Sequence, residues 1–214
     1  RVDFDLTPAQ AKEYEDVFTS LQKGIRPSHF DNESSSNSSS SQNNQTLTLD
    51  DGTYIVGEDI AAGKYNIIAK DSVGALTIYD TNNRAYVNTM LSSNDLLSCA
   101  TTFQHINLKT GMKVDLDGAA EFVPANMDST SPQFEEITLT AGEYIVGTDI
   151  AAGTYHITAI DGNAMGIQNL VILYEDGAKA AELDVGDMVK DVVLTDQIAI
   201  IVQGDLEVEF TPAQ

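Results

Sequence analysis

Tryptophan is absent from this 214-residue chain, and cysteine occurs once, at Cys99. A single thiol forms no intrachain disulfide and no multi-cysteine zinc site. Cations are scarce: 11 Lys and Arg stand against 33 Asp and Glu, a formal charge of -22. Phosphate backbones and anionic lipid headgroups are bound by clustered basic side chains, so nucleic acid and direct membrane adsorption are set aside as partners. Cationic partners and metal ions stay open. No apolar run approaches the ~20 residues of a membrane span, so no transmembrane span is expected. The chain opens at Arg1 without an apolar signal segment, and any export signal or lipid anchor is expected upstream of it. With 42% hydrophobic residues and 15 glycines, the rest is ordinary globular composition.

What the chain does have is an internal repeat. Tyr54-Ile-Val-Gly-Glu-Asp-Ile-Ala-Ala-Gly-Lys-Tyr65 returns as Tyr144-Ile-Val-Gly-Thr-Asp-Ile-Ala-Ala-Gly-Thr-Tyr155, identical at 10 of 12 positions. Leu47-Thr48-Leu49 matches Ile137-Thr138-Leu139 upstream, and Phe122-Val123-Pro124-Ala125 parallels Phe210-Thr211-Pro212-Ala213 at the far end.

Within each copy, short alternating runs are bounded by Gly, Asn and Asp, the pattern of strands and turns. In the first copy they fall at 46–50, 53–57, 64–70, 75–80, 85–90, 101–108, 112–117 and 120–124. Met112, Val114 and Leu116 alternate with Lys113, Asp115 and Asp117, as in a strand with one wet face. The matching strand of the second copy, Ile198-Ala199-Ile200-Ile201-Val202, is apolar throughout, so it is either buried on both faces or faces the other domain. The expected fold class is mainly β: two tandem antiparallel β-sandwich, jelly-roll-like domains with no internal helix of useful length.

Five segments follow: an N-terminal helical segment at 1–30, a linker at 31–45, repeat 1 at 46–125, a connector at 126–135 and repeat 2 at 136–214. Thr7-Pro8-Ala9-Gln10 reads as a capped helix start, and Tyr14, Val17, Phe18 and Leu21 share one face of about four turns. That stripe suits docking on a domain or partner. Residues 34–45, rich in Ser and Asn, have nothing to bury and read as a flexible tether. Asn-x-Ser/Thr matches at Asn32, Asn37 and Asn44 arise from its composition. The turn-rich connector predicts a limited hinge.

Candidate sites are few. Asp59 and Asp149 are expected to cap a one-turn helix over Ile-Ala-Ala, with Gly63 and Gly153 at positive φ before the chain re-enters a strand; all four read as structural turn residues. A carboxylate presented at each loop tip is the functional alternative. Asp115-Leu-Asp117-Gly118 resembles a fragment of a calcium loop, but the remaining oxygen ligands are missing and the second copy has Ile201 and Gln203 there. No metal and no cofactor is assigned, although weak calcium affinity stays open.

No nucleophile elbow, zincin helix or phosphate loop occurs, so no catalytic residue is assigned. His29, His105 and His156 lie in three different regions, His156 aligns with Asn66, and Cys99 reads as a small buried hydrophobe. Tyr54, Tyr65, Tyr144 and Tyr155 hold equivalent positions, which favours packing over ligand stacking.

The repeated Tyr-Ile-Val-Gly-x-Asp-Ile-Ala-Ala-Gly-x-Tyr unit, closing on Phe-Val-Pro-Ala or Phe-Thr-Pro-Ala, resembles a domain family of secreted proteins and lipoproteins of Gram-positive bacteria, largely of unknown function. The resemblance covers about 160 of the 214 residues. The chain departs from the family at Ala61 and Ala151, where Pro is frequent, and in lacking the cysteines of some actinobacterial members. The resemblance implies an extracellular, cell-surface-anchored protein on a polar stalk, and it supplies no catalytic residues. The expected function is non-enzymatic binding or adhesion to a surface polymer or protein whose identity is unknown. The alternatives are a structural spacer or assembly subunit, and a hydrolase with carboxylates in an inter-domain cleft.

Overall fold

A computed structural model describes residues 45–94, 99–125, 131–162, 169–174 and 177–213. The expected N-terminal helix and all of the tether but Gln45 lie outside the described residues. Every described strand belongs to one compact unit, Ser41–Gln214.

The first repeat contributes β1 (Leu47–Leu49), β2 (Gly52–Ile55), β3 (Gly63–Ala69), β4 (Gly74–Tyr79), β5 (Ala85–Leu91), β6 (Thr102–Leu108), β7 (Lys113–Asp117) and β8 (Ala120–Pro124). The second contributes β9 (Ile137–Leu139), β10 (Gly142–Ile145), β11 (Gly153–Asp161), β12 (Leu170–Tyr174), β13 (Gly177–Ala181), β14 (Met188–Leu194), β15 (Ala199–Val202) and β16 (Glu207–Pro212). The described chain is mainly β, and no helix occurs among the described residues.

The strands form a four-stranded sheet β2-β7-β4-β5, a four-stranded sheet β14-β11-β16-β9, and an eight-stranded sheet β1-β8-β3-β6-β10-β15-β12-β13. The order β1-β8-β3-β6 recurs as β9-β16-β11-β14, and β2-β7-β4-β5 recurs as β10-β15-β12-β13. The eight-stranded sheet therefore arises where edge strand β6 of the first repeat meets edge strand β10 of the second. Within each repeat the paired strands are antiparallel, whereas β6 and β10 run parallel with Gly142 opposite Gln104. The Gln104 N–H donates to the Ala141 carbonyl at 2.9 Å. A Cβ on Gly142 would lie 2.7 Å from the Gln104 carbonyl oxygen, so only glycine permits this approach.

The side chains explain why the edges join. In β7, Val114 and Leu116 are buried while Asp117 faces water. In β15 all four residues are buried. Ile200 and Val202 enter the second repeat's core. Ile201, alternating between them, enters the first repeat's core with Ala141, and Val171 and Leu173 pack against that cluster. The strand is apolar on both faces because each face has a core to fill.

The connector predicted a limited hinge, but hydrogen bonds crossing between the repeats oppose one. The amide of Asn88 donates to Gln203 Oε1 at 2.6 Å, and the Gly204 amide donates to Thr89 Oγ1 at 2.9 Å. An edge strand and an apolar outer face are the two features a domain leaves exposed only when a partner covers them.

Candidate functional site

The repeated motif builds a turn. Gly57 and Gly147 adopt φ of 96° and 86°, and the Asp59 and Asp149 amides bond back to the Ile55 and Ile145 carbonyls at 2.8 and 2.7 Å. Each aspartate also takes the amide of the residue four earlier, Ile55 N–H or Ile145 N–H, on Oδ2 at 2.8 Å. The left-handed positions are thus Gly57 and Gly147, not Gly63 and Gly153, which begin β3 and β11. The expected one-turn helix over Ile-Ala-Ala is absent: the turn occupies 57–59 and 147–149, and Ile60 and Ile150 already enter the core, where each is 1% exposed. Tyr65 and Tyr155 then donate their hydroxyls to the carbonyls of Ala61 and Ala151 at 2.9 and 3.0 Å. Tyr54 and Tyr144 do the same to Asp50 and Thr140, each at 3.0 Å. All four tyrosines therefore tie the backbone four residues upstream.

The two copies of this turn differ in their surroundings. Asp149 Oδ1 accepts from Lys64 Nζ at 2.8 Å, with both side chains largely buried. This ion pair stands in a cleft of about 450 Å³ between the repeats. Lys64, Gln104 and His105 of the first repeat face Thr138, Thr140, Tyr144, Thr148 and Asp149 of the second, and Gln133 and Glu135 close one side. Gln104 Nε2 donates to Thr140 Oγ1 at 2.9 Å, and the His105 ring meets Tyr144 edge to face with centroids 5.5 Å apart. Burial pushes the Tyr144 hydroxyl above its ordinary pKa, against the Thr140 hydrogen bonds that lower it.

Beside the cleft, Glu143 is sealed in the junction at 3% exposure. Its carboxylate accepts from the Tyr86 hydroxyl and, at 2.7 Å, from the Asn107 amide. Burial pushes this carboxyl above its usual range, outweighing the Asn107 and Tyr86 hydrogen bonds and the charges of Lys109 and Lys64. Burial, then the Glu143 charge, pushes the Tyr86 hydroxyl well above the phenol range.

As a chemical site, the cleft offers hydrogen-bonding groups and one ion pair. Both Asp149 oxygens are already engaged, by Lys64 and by the Ile145 amide. Among the described residues, Glu143 is the carboxyl group with a raised pKa, and it lies outside the cleft lining. No group of three or more His, Cys, Asp or Glu among them converges to hold a metal. Asp115 instead pairs with Lys113 at 3.0 Å, and Lys113 also sits 3.9 Å over the Tyr79 ring.

The histidine and cysteine candidates take separate places. His156 Nδ1 accepts the Asp191 amide at 3.2 Å, as Asn66 Oδ1 accepts the His105 amide at 2.9 Å. Asp191 and His105 are the equivalent positive-φ residues of β14 and β6, at 55° and 60°. The histidine that aligns with Asn66 thus does the work of an amide oxygen. Cys99 is buried, and burial with the Asp205 charge pushes its thiol up. His29 lies outside the described residues.

Motif searching missed Lys64, Tyr86, Gln104 and Glu143. For three of them the signal is divergence between copies: Thr154 stands opposite Lys64, Lys190 opposite Gln104 and Thr53 opposite Glu143. At these positions the difference between otherwise matching repeats marks what one copy does to the other. No helix among the described residues is long and apolar enough to cross a membrane. Comparison with family models, curated proteins and solved structures returns no match.

Proposed function

We propose that the chain is a non-enzymatic cell-envelope or secreted protein whose two tandem β-sandwiches bind a surface polymer or protein in the cleft between them. The observation that carries this reading is the cleft itself, about 450 Å³ and walled by both repeats. That volume falls in the range of ligand sites, ~300–1,000 Å³. Because one wall comes from each repeat, the cleft is a product of the pairing. Its Gln, Thr, Lys and Asp side chains suit a hydroxyl- or amide-rich ligand such as a glycan strand or an extended peptide. The extracellular setting rests on the family resemblance and on the polar stretch at 34–45.

The test is amide chemical-shift mapping of the whole chain against soluble wall polymers, glycans and matrix proteins. Binding shifts the amides of Gln104, Thr138, Thr140 and Thr148, and Thr138→Trp, at an exposed position of the wall, abolishes the shifts. A full panel that leaves those amides unmoved, or a response untouched by Thr138→Trp, sinks the reading.

A second reading, a spacer or assembly subunit, is favoured by the β6–β10 junction, which holds the repeats in one sheet. Such a role requires no ligand in the cleft, and a silent panel together with rigid joint tumbling favours it.

A further inference from the structure

The second repeat carries the same opening that, in the first repeat, the second repeat fills. In the first repeat, edge strands β5 and β6 receive the neighbour: Asn88 and Thr89 on one side, Gln104 and Asn107 on the other. Ala141 and Ile201 plug the space between them as members of the first core. The equivalent edges of the second repeat are β13 and β14, each the last strand of its sheet. Between them lies an apolar groove of about 340 Å³, floored by Ile157, Leu170, Ile172 and Val189 and flanked by Lys179 and Lys190. Val193 and Met188 of β14 stand 56% and 50% exposed.

We propose that this groove is a docking site for a further unit of the same repeat type, one that presents an apolar outer face with an acidic edge like that of the second repeat. The incoming edge would lie along β14 as β10 lies along β6. By register, Lys190 of β14 corresponds to Gln104, whose amide is the one bonded to Ala141. A carboxylate placed like Glu143, which accepts the Asn107 amide, would by the same register meet the amide of Val193. Joining the β14 edge of one unit to the β10-type edge of the next is a heterologous, head-to-tail contact that extends an array.

The chain's own first repeat is the wrong partner. Where the second repeat offers Glu143, Val171, Leu173, Ala199 and Ile201, the first has Thr53, Thr77, Tyr79, Lys113 and Asp115. That wet face ends the array on its side. The open end is therefore the second repeat's, and it fits a different unit carrying the apolar face.

The experiment appends a second copy of residues 127–214 after Gln214 of the full chain, so that the added unit offers the required face. Hydrogen exchange and amide shifts of the middle repeat are then compared with those of the unextended chain. Docking slows exchange at the Lys190 amide to the rate of Gln104 and shifts Val193, and Val193→Lys reverses both. Unchanged Lys190 exchange beside a folded third unit overturns the proposal. If the added unit fails to fold, a chain carrying Thr53→Glu, Thr77→Val, Tyr79→Leu and Asp115→Ile replaces it. That chain associates in sedimentation and returns to monomer with Val193→Lys, whereas a folded monomer, or association indifferent to Val193→Lys, overturns the proposal. A Lys190 amide already protected in the unextended chain and released by deleting residues 1–44 assigns the groove to the N-terminal segment instead, which also overturns it.

Discussion

Replacing Ile201 with Ala probes the junction from the side where its effect is least intuitive. The residue belongs to the second repeat, yet it is fully buried in the core of the first. The change removes three carbons, at ~0.8 kcal/mol each about 2.4 kcal/mol of transfer free energy. The residual cavity adds to this, because neighbours anchored in two sheets relax only partly, so the loss falls within the ~2–5 kcal/mol seen for such truncations. Urea unfolding followed by tyrosine fluorescence and far-ultraviolet circular dichroism measures it, with an unchanged slope showing that stability alone has altered. Native-state hydrogen exchange locates it: amides of β3, β6 and β8 in the first repeat exchange faster. A loss under ~0.5 kcal/mol, the scale of a solvent-facing site, or an effect confined to β9–β16, refutes the assignment of Ile201 to the first core.

Three further outcomes follow from the same contacts. Because burial raises the folded-state pKa of Glu143, its stabilising contribution is complete below its unfolded pKa, ~4.3, and is lost as pH rises through the higher folded value. Denaturation of wild type and Glu143→Gln across the acid-to-neutral range should show wild type losing stability relative to the variant as pH rises; a flat difference contradicts this. Gly142→Ala drives a Cβ into the Gln104 carbonyl, and thermal unfolding should register the ~1–3 kcal/mol of an overpacked site. Asp149→Ala removes a carboxylate that holds both Lys64 and the Ile145 amide, and should cost ~1.5–3 kcal/mol. Asp59→Ala, which frees an exposed amide bond, should cost less in the same assay.

All eight strand segments expected in the first copy are present within about two residues at each end, because alternation and glycine-bounded turns are local signals. Met112, Val114 and Leu116 gave the buried face of β7 directly. The expected positive φ at Gly63 and Gly153 failed for a local reason: the aspartate reaches backward to Ile55 or Ile145 rather than forward, and sequence alone does not choose between two nearby amides. The unbroken apolar run at 198–202 left two options, a doubly buried strand or one facing the other domain, and β15 is both. Glu143 and Lys64 carried no motif, since their roles depend on which edges meet, and their partners lie 36 to 85 residues away in sequence.

The most direct measurement of the junction is a set of backbone N–H residual dipolar couplings from the whole chain in one alignment medium. If β6 and β10 hold the repeats in one sheet, couplings from β1–β8 and from β9–β16 fit a single alignment tensor, equal in magnitude and direction. Two tensors of different magnitude would mean that the repeats move independently, and the shared sheet, the cleft between the repeats and the double role of β15 would fall together.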